Sequence, residues 1–400
     1  MRVTIVDSIM GKGKTSWALQ YINESPAYKK FIYITPFLDE VERVIKSTPG
    51  REFFQPNNAN NEGRKLRSLK ELIVSGKNIC ATHSLFKSAD EELIELLTEA
   101  GYTLILDEVM DVIETANITS QDIKALRDLG YIDIVNNRVR WVYEDYVEGR
   151  FYDIKLLAKA GNLFYHRDKF LIWAFPPKVF SAFDNVFVLT YLFNVQLQSY
   201  YYKLHDINYE IKSVSQDSNG RYNIGEYDPQ REERAEVMKL IDIYNGPYNE
   251  VGEARNAFSV SWFRNASDTV LERVQKNIYS YFRNHCKVKG NELIWTTVKK
   301  NEIDLRGKGY AKSFTPVNLR ATNEYSDRKA LAYVFNRYLH PIERAFFEDN
   351  GITVNQDLLA VSDLLQWIWR SRIRNGESIS LYLPSSRMRS LLKAWGSYEI

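Results

Sequence analysis

Ser8-Ile9-Met10-Gly11-Lys12-Gly13-Lys14-Thr15 decides the fold, because of what stands on either side of it. Residues 2–7 alternate and then run apolar, as a short strand does, and residues 16–23 carry helical periodicity. Strand, glycine-bearing loop and helix in that order are the context a phosphate-binding loop requires. Glycine lets the backbone curl until successive amides and the helix N-terminus face one anion. Lys14 then reaches the β/γ-phosphates and the Thr15 hydroxyl ligates Mg²⁺. The stretch departs from G-x-x-x-x-G-K-[ST] at its first position, where Ser8 stands.

A phosphate loop needs an acid on a neighbouring strand, to hold the metal's water shell and to polarise the attacking water. Leu104-Ile105-Leu106-Asp107-Glu108 supplies it: Asp107 at the strand end for Mg²⁺, Glu108 next to it for the water. Further out, residues 31–35 (FIYIT), 77–82 and 102–106 read as strands, each separated from the last by a helical stretch. Strands alternating with helices predict a parallel sheet with crossovers. Past Val112 the rhythm breaks. Residues 119–129 read as a helix and 131–143 as a hairpin turning at Asn136 and Asn137, so 113–169 is expected to be an α+β insertion. Strands at 170–175 and 186–190 are expected to complete the first sheet. Residues 197–255 read as a linker carrying a hairpin. A second alternating pattern begins at 257–263 (AFSVSWF) and continues with a helix at 267–283 and a strand at 292–297. A long helix at 327–344, a helix at 356–374 and a strand at 378–383 close the chain.

The chain of 400 residues is 44% hydrophobic and 26% charged, which suits folded domains and excludes a disordered chain. Two cysteines, Cys80 and Cys286, exclude a disulfide framework and a cysteine zinc site and suit a reducing cytosol. Apolar runs such as 170–175 and 186–193 fall far short of the ~18 residues a membrane span needs. Net charge is +2, distributed as +8 over residues 256–400 and −6 before them, so the C-terminal half suits an anionic partner. No metal-ligand cluster and no Ser/His/Asp arrangement is legible.

In these motifs the chain resembles the superfamily 2 DEAD/DEAH-like helicases, in particular the short phage-encoded type, over most of its length. Residues 8–15 are similar to the family's motif I in its A-x-x-G-x-G-K-T form. Asp107-Glu108-Val109-Met110 resembles motif II, Tyr33-Ile34-Thr35-Pro36 motif Ia, and Ala81-Thr82-His83 the next strand-end contact. Leu189-Thr190-Tyr191 resembles motif III, Trp295-Thr296-Thr297 motif IV and the segment 320–325 (RATNEY) motif V. Gln366-Trp367-Ile368-Trp369-Arg370-Ser371-Arg372-Ile373-Arg374 resembles motif VI, with Trp369 where relatives have glycine and one arginine a position late.

The resemblance implies an α/β fold of two RecA-like domains, parallel sheets flanked by helices, with an α+β insertion in the first. Domain 1 would span 1–196, a connection 197–255 and domain 2 256–400. It implies ATP bound with Mg²⁺. Gly11, Gly13, Lys14, Thr15, Ser16, Gln366 and Asn323 would hold the nucleotide, and Thr15 and Asp107 the metal. Glu108, Lys14, Arg370 and Arg374 form the catalytic set. Arg370 and Arg374, four apart, are expected on one helix face. Thr35, Pro36, Thr82, His83, Thr297 and Thr322 would touch the strand, mostly at phosphate. The absence of a Q motif before the loop favours DNA, single-stranded or branched, with RNA the second choice. The resemblance further implies replication or recombination proteins as partners and the host cytoplasm as location. The insertion is expected to act as a strand-separating pin or duplex contact. Two other readings stay open: a terminase-like packaging ATPase, which the basic C-terminal half disfavours, and a nucleotide-gated DNA-binding or loading protein.

Overall fold

The computed structural model describes residues 2–36, 38–60, 63–86, 89–317 and 324–400. Thr322 and Asn323, expected at the strand and nucleotide sites, lie outside the described residues. The chain divides into two units, one of Met1–Ser8, Lys12–Tyr227 and His340–Val354, the other of Ile9–Gly11, Asp228–Leu339 and Asn355–Ile400.

The first unit is built on β1 (Arg2–Asp7), β2 (Lys30–Thr35), β3 (Phe53–Phe54), β4 (Asn78–Thr82) and β5 (Tyr102–Asp107). An insertion then contributes β6 (Ile113–Thr115), β7 (Ile132–Val135), β8 (Arg138–Trp141), β9 (Leu163–His166) and β10 (Phe170–Ala174). After it come β11 (Asn185–Thr190) and the hairpin of β12 (Glu210–Gln216) and β13 (Tyr222–Glu226). The main sheet runs in the order β13-β12-β1-β11-β5-β2-β4-β3, parallel except for the β12–β13 pair. Its central strands β1, β11, β5, β2 and β4 are mostly apolar on both faces because both faces are covered, while the edge hairpin is polar. Period-two alternation deals the side chains to two cores. Val3, Ile5, Ile32, Ile34, Leu104 and Leu106 go to one, and Val6, Phe31, Tyr33, Ile105 and Leu189 to the other. Each fully buried Ile or Leu there contributes about 1.5–3 kcal/mol, and a one-residue slip would exchange the faces.

The insertion is an antiparallel sheet in the order β6-β10-β9-β8-β7. β7 and β8 turn at Asn136 (φ 51°) and Asn137 (φ 61°), as Asn-Asn predicts. The strand at 170–175 belongs here and not to the main sheet, a correction to the sequence expectation. Arg167 (φ 49°) and Asp168 (φ 53°) turn the chain so that Phe170 pairs back on His166. The hairpin expected within residues 197–255 is β12–β13, and β12 joins the main sheet beside β1.

The second unit holds β14 (Ile241–Ile243), β15 (Leu293–Thr297), β16 (Ala330–Val334) and β17 (Ile379–Tyr382), all parallel, in the order β14-β17-β16-β15. The expected long helix at 327–344 is instead β16 followed by the helix Pro341–Asp349. Every residue of β16 is buried, and a continuous apolar run does not tell a buried strand from a helix. At 257–263 there is no strand, because Ser259 caps the helix Val260–Asn265 through the Trp262 amide. Among the described residues, no helix is long and apolar enough to cross a membrane.

Candidate nucleotide site

Parallel strands deliver their C-terminal ends to one edge of the sheet, where ligands of open α/β sheets bind. In register, Asp7 pairs with Thr190, Leu189 with Asp107 and Thr35 with Thr82. Residues read as separate motifs therefore lie along a single edge.

The loop after β1 leads into the helix Lys14–Glu24, whose N-cap is Gly13 at φ 93°. Gly11 has φ 82°. At both positions a side chain would strain the backbone. At Gly13 there is also no room, since a Cβ would stand 2.1 Å from the Tyr222 ring of the edge hairpin. A glycine cap brings no side-chain hydrogen bond to the first-turn amides, which leaves that end of the helix suited to an anion. The Lys14 ammonium donates to the Ser8 carbonyl within the loop itself. Ser8, the departure from the glycine pattern, has a structural use: its hydroxyl donates to the Asp7 carbonyl at 2.7 Å and accepts from the Val214 amide at 2.9 Å. Serine thus ties the loop to β12, which glycine cannot do.

Opposite the loop, Thr15 Oγ1 donates to Asp107, 3.2 Å from Oδ2 and 3.4 Å from Oδ1. Tyr33, from the adjacent strand β2, donates its phenol to Asp107 Oδ2 at 2.7 Å. Burial raises the Asp107 carboxyl above the usual carboxylate range, while the Tyr33 hydrogen bond, Arg43, the Thr15 hydrogen bond and Lys14 pull it down. The Tyr33 phenol is itself raised, by burial first and then by the Asp107 charge. A hydroxyl and a carboxylate this close form the hard-oxygen pair that Mg²⁺ takes, with water and phosphate completing its shell. The residues present thus fit the metal that the loop calls for.

Glu108 follows with φ 77°, in the left-handed region that a non-glycine residue rarely enters. Its amide continues the ladder by donating to the Leu189 carbonyl at 2.9 Å, so the turn in the chain falls at this residue. Such strain persists only where the surroundings hold it, and it clusters at functional sites.

Four participants were not legible in the sequence. Tyr33 acts on Asp107 from the adjacent strand and Arg43 from the helix Leu38–Ser47. Buried Asp7 accepts from the amides of Leu192 (2.9 Å) and Phe193 (2.7 Å), fixing the turn after Thr190. Gln198 accepts from the Met110 amide at 2.9 Å, holding the segment after Glu108. A carboxylate directly before the loop was a usable signal for Asp7; the others depend on contacts distant in sequence.

Of the expected strand contacts, Thr82 is half-buried at the sheet edge with its hydroxyl 3.1 Å from that of Ser84, and His83 begins the short helix His83–Phe86. Pro36 follows β2 and is half-buried. Thr35 and Thr297 are enclosed, 0% and 1% exposed, and their hydroxyls find no hydrogen-bond partner among the described residues. Neither hydroxyl faces solvent in this structure, contrary to expectation.

In the second unit, Gln366 lies on the helix Gln356–Ile368, which stops before the arginines. Ser371 is extended (ψ −174°), its hydroxyl donating to the Ile368 carbonyl at 2.7 Å, and a 3-10 turn, Arg372–Asn375, follows. Arg370 is buried and Arg374 exposed, so the expectation that they share a helix face is corrected.

Residues 235–396 match the profile described as the YonV C-terminal Rossmann-like domain, and 113–173 that of the YonV middle domain. The chain is 40% identical, over 405 residues and 98% of each chain, to the SPbeta prophage-derived protein YonV of Bacillus subtilis (strain 168). Among solved structures, S. tokodaii Xpd4 is similar at 12% identity and TM-score 0.46, over 100% of this chain and 94% of that one. The DUF1998 helicase MrfA bound to DNA and AMPPNP is similar at 11% identity and TM-score 0.38, over 100% of this chain and 48% of its own.

Proposed function

The chain belongs to the YonV family, and we propose from its site that it is an ATP-hydrolysing motor of the superfamily 2 helicase type, acting on nucleic acid and on DNA first. The observation that carries this reading is Thr15 hydrogen-bonded to Asp107 with strained Glu108 next in the chain, beside a loop of positive-φ glycines at a parallel sheet's C-terminal edge. Gly11, Gly13, Lys14, Thr15 and Ser16 cradle the phosphates. Lys14 neutralises the phosphate charge, and Thr15 and Asp107 hold Mg²⁺, which when bound screens the charge of the transferring phosphoryl group. Glu108 orients the attacking water and accepts its proton. Tyr33 orients Asp107 by donating to it and partly offsets the upward push of burial on its carboxyl. Arg370 and Arg374 are the candidates for stabilising charge at the γ-phosphate, and Gln366 for reading the nucleotide. Thr82, His83 and Pro36 are assigned to the strand.

The insertion is assigned to strand separation, with the β7–β8 hairpin as its tip. Shortening that hairpin and finding displacement of a duplex unchanged removes this role. The prophage origin of the relative suits a phage-encoded enzyme of replication or recombination working in a host cytoplasm.

Two assays test the whole reading. A fluorescent ATP analogue should bind the native chain and fail to bind Lys14→Ala. Displacement of a strand from a tailed duplex should require ATP. Hydrolysis stimulated by DNA without displacement points instead to the nucleotide-gated loader.

A further inference from the structure

Within the first unit, a 670 Å³ cavity opens between the insertion and the main sheet's layer, in the size range of small-molecule sites. Leu156 and Leu157 of the insertion helix Tyr152–Lys159 line one side, Leu66 and Leu85 another. Thr82 and Ser84, whose hydroxyls are 3.1 Å apart, also line it, so the cavity reaches the sheet edge assigned to the strand. Two lining leucines, Leu38 and Leu156, are 53% and 47% exposed, apolar surface that an occupant would cover.

The charges on the lining favour an anion. Among the described residues its carboxylate is Asp90, which is held by Lys70 at 2.7 Å and caps the helix Glu91–Ala100 through the Leu93 amide. Lys159 is paired with Glu144. Arg64 and Lys65 are exposed on this lining, and among the described residues neither has a carboxylate partner. An aliphatic interior, two hydroxyls and two exposed cations match a group with one flat apolar part and one phosphate.

We infer that this cavity takes one nucleotide of the bound strand, the base turned in among the leucines and the phosphate between Arg64 and Lys65. The inference rests on the nucleic-acid reading above and adds a site to it. The insertion then serves as one wall of a base pocket, which unstacks a nucleotide as the strand passes.

The test uses the full chain and single strands carrying 2-aminopurine at successive positions. Among the described residues no aromatic side chain lines the cavity, so an unstacked base there should fluoresce several-fold more brightly at one position of the strand. Leu157→Trp fills the cavity and should abolish that rise. The exposed pair Arg64→Glu and Lys65→Glu, which leaves the core untouched, should also reduce it and flatten the salt dependence of binding, by about 0.7 unit of slope for each phosphate of the single strand no longer neutralised. Hydrolysis without DNA should be unchanged in all of these variants. A strand that binds and stimulates hydrolysis, but shows no bright position or one insensitive to these changes, overturns the pocket and leaves the motor standing. A strand that does not bind at all overturns both.

Discussion

The Tyr33 phenol donates to Asp107 Oδ2 at 2.7 Å, from the strand beside the one that carries the carboxylate. This bond aims a buried acid and favours its ionised form, so it acts on metal binding through its partner. Tyr33→Phe should weaken Mg²⁺ binding roughly 10- to 100-fold, the usual cost of losing an outer-shell partner, and leave nucleotide binding without metal little changed. Titrating hydrolysis with Mg²⁺ at saturating ATP reads it out. A variant with a native Mg²⁺ dependence contradicts the assignment.

Burial lifts the Asp107 carboxyl, so without ligands its charge costs stability at neutral pH. An acid whose folded-state pKa is raised binds more protons when folded, so that cost is full above the raised pKa and relaxes as pH falls through it towards the unfolded value. Asp107→Asn should therefore melt a few degrees higher than the native chain at pH 7, without nucleotide or metal, and the gap should close on acidification. Melting curves across the carboxyl range check both parts.

Glu108 sits at φ 77°, which glycine adopts freely and glutamate does not. Glu108→Gly should stabilise the fold by about 1 kcal/mol and Glu108→Val should destabilise it, while Glu108→Gln leaves stability alone. All three should lose hydrolysis. The order of melting temperatures, set beside a uniform loss of activity, separates backbone strain from chemistry.

A Cβ at Gly13 would meet the Tyr222 ring at 2.1 Å and would sit at φ 93°. Gly13→Ala should abolish nucleotide binding. Adding Tyr222→Ala removes the clash but not the backbone strain, so the double variant should regain part of the lost stability. Equilibrium binding of a fluorescent nucleotide and thermal melting follow the two effects separately.

The main sheet and its loop were legible because alternation within 3–6 and 31–34 and the glycine-lysine-threonine signal are local. Asp107 and Glu108 could be paired with the loop because the acid follows an apolar strand. What escaped was set by tertiary context. Buried on both faces, β16 read as helix, and 170–175 joined the insertion because of a turn at Arg167 and Asp168 that carries no glycine or asparagine. The helix before Arg370 stops at Ile368 because Ser371 bonds back to the chain, which no spacing of arginines reveals. The role of Tyr33 depends on a carboxylate on another strand, far along the sequence, which no local pattern around Thr35 and Pro36 reveals. The resemblance places Thr35 and Thr297 against the strand, whereas packing around the strand ends encloses both.

Steady-state ATP hydrolysis with and without single-stranded DNA, for the native chain beside Lys14→Ala and Glu108→Gln, tests the central claim most directly. DNA should raise the native rate several-fold, and both substitutions should abolish turnover in either condition. A native chain that hydrolyses no ATP with or without DNA contradicts the motor and makes the nucleotide-gated binder the account to pursue.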